Sequence, residues 1–318
     1  MCFGLGEVAD IINNITGGTS EPEPQINIFS GDDRPIAIIF DNNTAAQPHS
    51  GLEKAYIVYE ILVEAGETRL LGLFKGQDME MIGPTRSARH YFVDYAIEHD
   101  AIFVHHGGSP QAYARISDYG VDAIDGMHFD GTNPGFWRQP GKRAPHNSYM
   151  SSDMLNRILE NRNVRTTSNE PSILNYVAHE VLLEDGEVAD VVTIPYAPGH
   201  VVRYEFDEVS RRYVRYSKNR RQMIGNTGEP LTVKNIIILR ISNTHLNDGS
   251  GTGRQELHNI GEFEGYYITN GRWVRITAEK TDRRSPTVFR DLEGNLLEVN
   301  DGNTFIQIVP PNANIEMH

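Results

Sequence analysis

The stretch Ala101-Ile102-Phe103-Val104-His105-His106-Gly107-Gly108-Ser109-Pro110 decides the fold class of the first half of the chain. A short apolar run ends in two histidines, turns on two glycines and opens a helix. Ser109 is its N-cap and Pro110 occupies its first position, where a missing N–H costs nothing. A strand feeding a capped helix through a glycine turn is a unit of α/β architecture, and its turn is a place where such sheets bind ligands.

Outward from this stretch the same alternation continues. Pro35 to Phe40 reads as a buried strand. Tyr56 to Glu64 reads as another, with Ile57, Tyr59, Ile61 and Val63 on one face and Val58, Glu60, Leu62 and Glu64 on the other. Thr68 to Phe74 follows. Ser87 to Glu98 and Ser151 to Asn161 carry helical apolar stripes. Beyond about Asp185 the pattern changes to short strands separated by Gly, Asn and Asp turns, among them Val188 to Tyr196, Val233 to Ile241, Trp273 to Ala278 and Thr304 to Val309. The expected fold is therefore α+β overall. A tether (1–30) precedes a mixed α/β domain (31–184), and a mainly β domain (185–318), barrel or sandwich, follows.

With 318 residues and a net charge of −14, the chain repels phosphate backbones, so nucleic acid is not an expected partner. It contains a single cysteine, Cys2, which excludes an internal disulfide and a cysteine-based metal site. No metal or cofactor is expected. Cys2 is followed by a stretch with Gly17-Gly18-Thr19-Ser20 and Glu21-Pro22-Glu23-Pro24. A mature bacterial lipoprotein begins in this way, with a lipid-bearing cysteine and a tether. A flexible tether of about 25 residues would reach roughly 25–30 Å. The expected location is the outer face of the cytoplasmic membrane, with the lipid on Cys2 as anchor. A cytosolic protein with an incidental cysteine is the alternative.

Three stretches carry candidate chemistry. In Thr85-Arg86-Ser87-Ala88-Arg89-His90, two arginines fall at the expected start of a helix, where the dipole opposes cations by ~0.3–1 kcal/mol each. Either an anionic ligand or protein carboxylates such as Glu60 and Glu64 must offset this. In the opening stretch, His105 and His106 point to opposite faces, so at most one faces a site. Ser109 reads as a cap before it reads as a nucleophile. The third stretch, Arg138 to Tyr149, lies in a long loop and holds Lys142, Arg143, His146 and Asn147. Ligand-binding candidates are Arg86, Arg89, His105, His106, Ser109, Arg138, His146 and Asn147. If the protein is a hydrolase, His146 is the acid or base with Glu60 or Glu64 as its carboxylate. Glu60 and Glu64 lie ~13 Å apart along a strand, beyond the about 5–9.5 Å of glycosidase pairs.

Lys54 to Glu60, Ile82 to Arg89, His105 to Pro110, Ala144-Pro145-His146-Asn147, Asn235-Ile236-Ile237, Thr252-Gly253-Arg254-Gln255 and Gly265 to Gly271 together resemble the YerB-like family of predicted bacterial lipoproteins. The resemblance covers nearly everything after the tether. It implies two domains and lipid anchoring outside the membrane of a Gram-positive cell. It implies no activity, since the family has none assigned. Where the family pattern leads us to expect Trp-x-Lys after the second-half hairpin, this chain has Thr277-Ala278-Glu279-Lys280, although Trp273 is near. The functional expectation is an envelope protein that binds an anionic or polar ligand through the Arg/His stretches. A hydrolase of envelope polymers and a scaffold for another envelope protein are the rivals.

Overall fold

The computed structural model describes residues 26–28 and 31–318. Cys2 and most of the expected tether lie outside the described residues. The first half contains β1 (Ile36–Asp41), β2 (Ile57–Leu62), β3 (Thr68–Phe74), α1 (His90–Glu98), β4 (Ile102–His105), α2 (Pro110–Tyr119), β5 (Ala123–Asp125) and α3 (Ser152–Asn161). The second half adds β6 (Val191–Ala197), β7 (His200–Asp207), β8 (Arg212–Ser217), β9 (Asn235–Arg240), β10 (Gly261–Thr269), β11 (Arg272–Lys280), β12 (Val288–Arg290) and β13 (Thr304–Val309).

Strands of both halves share one open sheet in the order β12-β11-β10-β9-β13-β2-β3-β1-β4-β5, with Glu187–Val188 also paired to β11. β13 is the seam. It runs parallel to β2, with Tyr59 opposite Ile306, and parallel to β9, with Ile237 opposite the same residue. The expected barrel or sandwich confined to 185–318 is thus replaced by a different arrangement. The β-rich half gives some strands to the common sheet. β6, β7 and β8 form the centre of a second, antiparallel sheet with Arg220–Arg221, Thr232–Val233 and Glu316–Met317.

The middle of the common sheet is covered on both faces, which explains why β1, β2, β3, β4, β9 and β13 are apolar on both sides, whereas β10 and β11 alternate exposed with buried or half-buried residues toward their outer ends. Ile57, Tyr59, Ile61 and Val63 pack with Tyr91, Phe92 and Tyr95 of α1. Val58 faces the other way, into a cluster with Val192, Ile194, Val202, Tyr204 and Tyr213 of the second sheet and Leu155, Ile158 and Leu159 of α3. The side-chain alternation read in Tyr56 to Glu64 is realised. Each fully buried Phe or Leu in these clusters stabilises the fold by ~1.5–3 kcal/mol relative to exposure.

One boundary differs in a way that matters for the site. The helix expected from Ser87 begins at His90, and Arg89 is its N-cap residue with extended backbone and no capping bond from its side chain. The preceding residues are held as an extended segment. Arg86 N–H donates to Ile39 O, His106 N–H to Arg86 O, Ala88 N–H to Gly107 O, and Ser109 N–H to Ala88 O. These bonds between β1 and the turn after β4 outweigh the helical preference of Ser87 and Ala88. Arg86 is therefore outside the helix, and the dipole no longer supplies a motive for an anion at its side chain. α2 begins as expected: Ser109 Oγ accepts from Ala112 N–H, and Pro110 is the first helical residue.

Candidate functional site

β1, β4 and β5 are parallel neighbours, and their carboxyl ends carry Asp41, His105 and Asp125. Open sheets of this kind present ligand-binding crevices at that end. The segment from Gly126 to Tyr149 crosses it. A two-stranded ribbon, Trp137–Arg138 with Ser148–Tyr149, stiffens the segment, and Thr85 N–H donating to Ser148 O ties it to the sheet.

Asp41 organises the exposed side of this end. Its Oδ2 accepts from His146 Nδ1 at 2.7 Å and lies 3.2 Å from Arg86 Nε, while its Oδ1 accepts from Asn43 N–H. The Asp41 side chain is almost wholly buried, whereas those of Arg86 and His146 are about a quarter exposed, 26% and 24%. With Nδ1 donating to the carboxylate, the His146 proton is fixed on that nitrogen, and Nε2 has no hydrogen-bond partner among the described residues. This is the geometry in which a carboxylate orients an imidazole as a base.

A second knot surrounds His106. Arg138 donates to its Nε2 at 2.8 Å, so the ring proton sits on Nδ1 and is donated to Ser148 Oγ at 2.7 Å. Burial and the neighbouring guanidinium keep this ring below the usual histidine range. His106 therefore cannot take a proton from Ser148, and the pair is not an activated nucleophile. Arg138 also holds Asp130 through two nitrogens and reaches Asn147 Oδ1 at 3.4 Å. Lys142 directs its ammonium to Ala46 O, Pro48 O and Tyr149 OH, and burial brings it down to about 8.

His105 is turned away from these groups, as the strand alternation requires. Its Nδ1 donates to Gly107 O at 2.8 Å, and burial lowers its pKa. Asp125 accepts from Gly107 N–H, Met127 N–H and Tyr113 OH, so it shapes the turn. Burial raises its carboxyl, but these hydrogen bonds outweigh that and hold it below the carboxylate range. Asn147 pins the loop by donating to Lys142 O.

The sequence candidates thus separate. Arg86 and His146 meet at Asp41, and His106, Arg138 and Asn147 form the second group, tied to the first by His106 N–H donating to Arg86 O. Arg89 does not join them: it is hydrogen-bonded to Glu64, which also faces Arg69 at 3.7 Å. Glu60 is enclosed between the two sheets, with Arg215 Nη2 2.5 Å from its Oε2. Neither glutamate serves His146; its carboxylate is Asp41. An acid closing the apolar run Pro35 to Phe40 was the available signal for Asp41, but its partner is 105 residues away.

Residues 19–165 match the N-terminal domain, and residues 192–306 the C-terminal domain, of a protein family of unknown function, DUF3048. The chain is 33% identical over 283 residues to "Putative lipoprotein YerB" of Bacillus subtilis (strain 168), covering 87% of this chain and 81% of that protein. The crystal structure of YerB from Bacillus subtilis superimposes with a TM-score of 0.77 at 31% identity, over 90% of this chain and 94% of that one. The resemblance carried by Ile82 to Arg89, His105 to Pro110 and Gly265 to Gly271 is therefore one of descent: this chain belongs to the YerB-like DUF3048 family.

Proposed function

We propose that this protein is an extracytoplasmic lipoprotein, held to the membrane through Cys2, that takes an anionic or polar envelope ligand at the carboxyl ends of β1, β4 and β5. The name of its Bacillus relative and the Cys2-plus-tether sequence support the anchoring. One observation carries the ligand reading. At the carboxyl ends of three parallel strands, Arg86, Arg138 and His146 are partly exposed while their carboxylate partners hold them in place. A cation positioned in advance by a carboxylate meets an incoming anion at little conformational cost. The test is titration of phosphate-bearing wall fragments against the protein and against Arg86→Gln/Arg138→Gln. The reading expects affinity to fall about tenfold or more with unchanged melting. Equal affinity would refute it.

The unpaired Nε2 of His146 favours a second reading, hydrolysis of envelope polymers with His146 as base and Asp41 as its orienting group. Release of soluble fragments from purified cell wall, abolished in His146→Ala and much reduced in Asp41→Asn, is its expectation. Absence of release from the wild-type protein across pH 5 to 9 removes it.

A further inference from the structure

The opposite end of the common sheet carries a groove with no part in the site above. It has a volume of about 790 Å³ and lies between the segment 181–187 and the turn 291–298, with Trp273, Val274 and Arg275 of β11 as its floor. Two features set it apart from ordinary surface.

The first is an interruption in the edge of the sheet. On its outer side β11 pairs with Glu187–Val188 opposite Arg272 and Trp273, and with β12 opposite Thr277 to Glu279. Val274, Arg275 and Ile276 have no strand beside them on that edge among the described residues. This is a gap of roughly 10 Å at strand rise. Unpaired backbone groups on an open edge are a template for an added strand.

The second is the chemistry of the walls. Leu292 and Leu296 of the lining are 64% and 55% exposed, and Leu182 and Val188, in the flanking segment just outside it, are exposed as well. Around them stand Glu184, Asp185, Glu187 and Glu293, with no ion-pair partner among the described residues. Arg275 is the single cation in the lining. Apolar ledges between unneutralised carboxylates match a chain that alternates Lys or Arg with apolar residues, since in an extended peptide the two kinds point to opposite sides. The protein's own segment before residue 26 is a poor occupant, because its charged residues, Glu7, Asp10, Glu21 and Glu23, are all acidic.

We infer that this groove docks an extended, basic segment of a partner protein, which pairs its backbone with β11 at Val274 to Ile276 and sets its cations against Glu184, Glu187 and Glu293.

The experiment uses the whole chain and a fluorescein-labelled peptide of alternating Lys and Val, read by anisotropy at low and physiological salt. Four comparisons decide it. Glu184→Gln/Glu187→Gln/Glu293→Gln is expected to weaken binding about tenfold or more. Asp118→Asn/Glu160→Gln/Glu208→Gln, which removes the same charge from exposed sites elsewhere, is expected to leave it within about twofold. The same peptide with alternate backbone nitrogens methylated keeps its charge but loses ladder donors, and is expected to bind about tenfold more weakly or worse. Equal loss in the two triple variants means attraction to net charge alone and overturns the proposal. Undiminished binding of the methylated peptide overturns the strand pairing, and binding of a Glu-for-Lys peptide as tight as the basic one overturns the choice of occupant.

Discussion

Glu60 of β2 and Arg215 of β8 meet at 2.5 Å with neither side chain exposed to water, and this pair joins the common sheet to the second sheet. Thr68 Oγ1 and Asn42 Nδ2 donate to the same glutamate, and Arg215 also reaches Gln222 and Tyr204. A buried pair stabilises little relative to apolar residues of the same shape, but losing one partner strands the other charge. Glu60→Ala is therefore expected to cost about 3–5 kcal/mol. Glu60→Leu/Arg215→Met should recover most of it. Urea denaturation of the three proteins checks both.

The same pair sets part of the acid limit of the fold. Burial raises the Glu60 carboxyl, but Arg215 and the hydrogen bonds outweigh it and bring it down to about 2, against an ordinary value near 4.5. Its contribution is present above the unfolded value and is lost as pH falls through that window toward 2. Denaturation midpoints measured from pH 5 to 2.5 should fall, and Glu60→Gln should show a shallower decline.

Two buried imidazoles act at higher pH. His49 accepts from Gln222 and donates to Asp41 O, while His99 lies against Tyr59 OH; burial pushes each down to about 4. Between 6.5 and 4 the unfolded chain binds a proton at each ring and the native state does not, so stability drops as pH falls through that window. The loss is on the order of 3 kcal/mol per ring at its lower end. His49→Gln and His99→Gln should each reduce the slope of stability against pH by about one proton.

The hydrogen-bond pattern of the candidate site specifies tautomers. His146 should carry its proton on Nδ1, given to Asp41, and His106 on Nδ1, given to Ser148. Two-bond ¹H–¹⁵N spectra at neutral pH should show both. Arg138→Ala removes the donor that fixes His106 and should disturb only that ring. A His146 ring protonated on Nε2 alone in the wild-type protein would contradict the Asp41 contact.

The seam strand makes a further prediction. A chain ending at residue 184 leaves β2 without its neighbour β13, exposing the backbone of Ile57 to Ile61 at a sheet edge. It should aggregate or fail to unfold cooperatively, even though residues 19–165 match one family domain. Adding a peptide of residues 303–318 should improve its solubility by occupying that edge. A monomeric, cooperatively folding fragment without the peptide would show that the edge needs no cover.

Much of the strand pattern was readable because period-two alternation and turn residues are local signals. Tyr56 to Glu64 displayed its two faces directly, and Ser109-Pro110 announced α2. The common sheet was not readable. β13 pairs with a strand about 250 residues earlier, and nothing in Thr304 to Val309 names that partner. The start of α1 was misplaced for a related reason, since the bonds that hold Arg86 to Ala88 extended come from Ile39 and Gly107. At the site, the cation-rich stretches were visible, but how they pair was not. Arg89 and Arg86 look equivalent in sequence, yet one meets Glu64 and the other Asp41.

The position of β13 also bears on when the protein can fold. Its neighbours on either side are made early and midway through synthesis, yet the centre of the sheet cannot close until residue Val309 has left the ribosome. Until then β2 and β9 each hold an open apolar edge, a state vulnerable to association with other chains. Closure of the sheet thus waits on a strand made about 250 residues after β2.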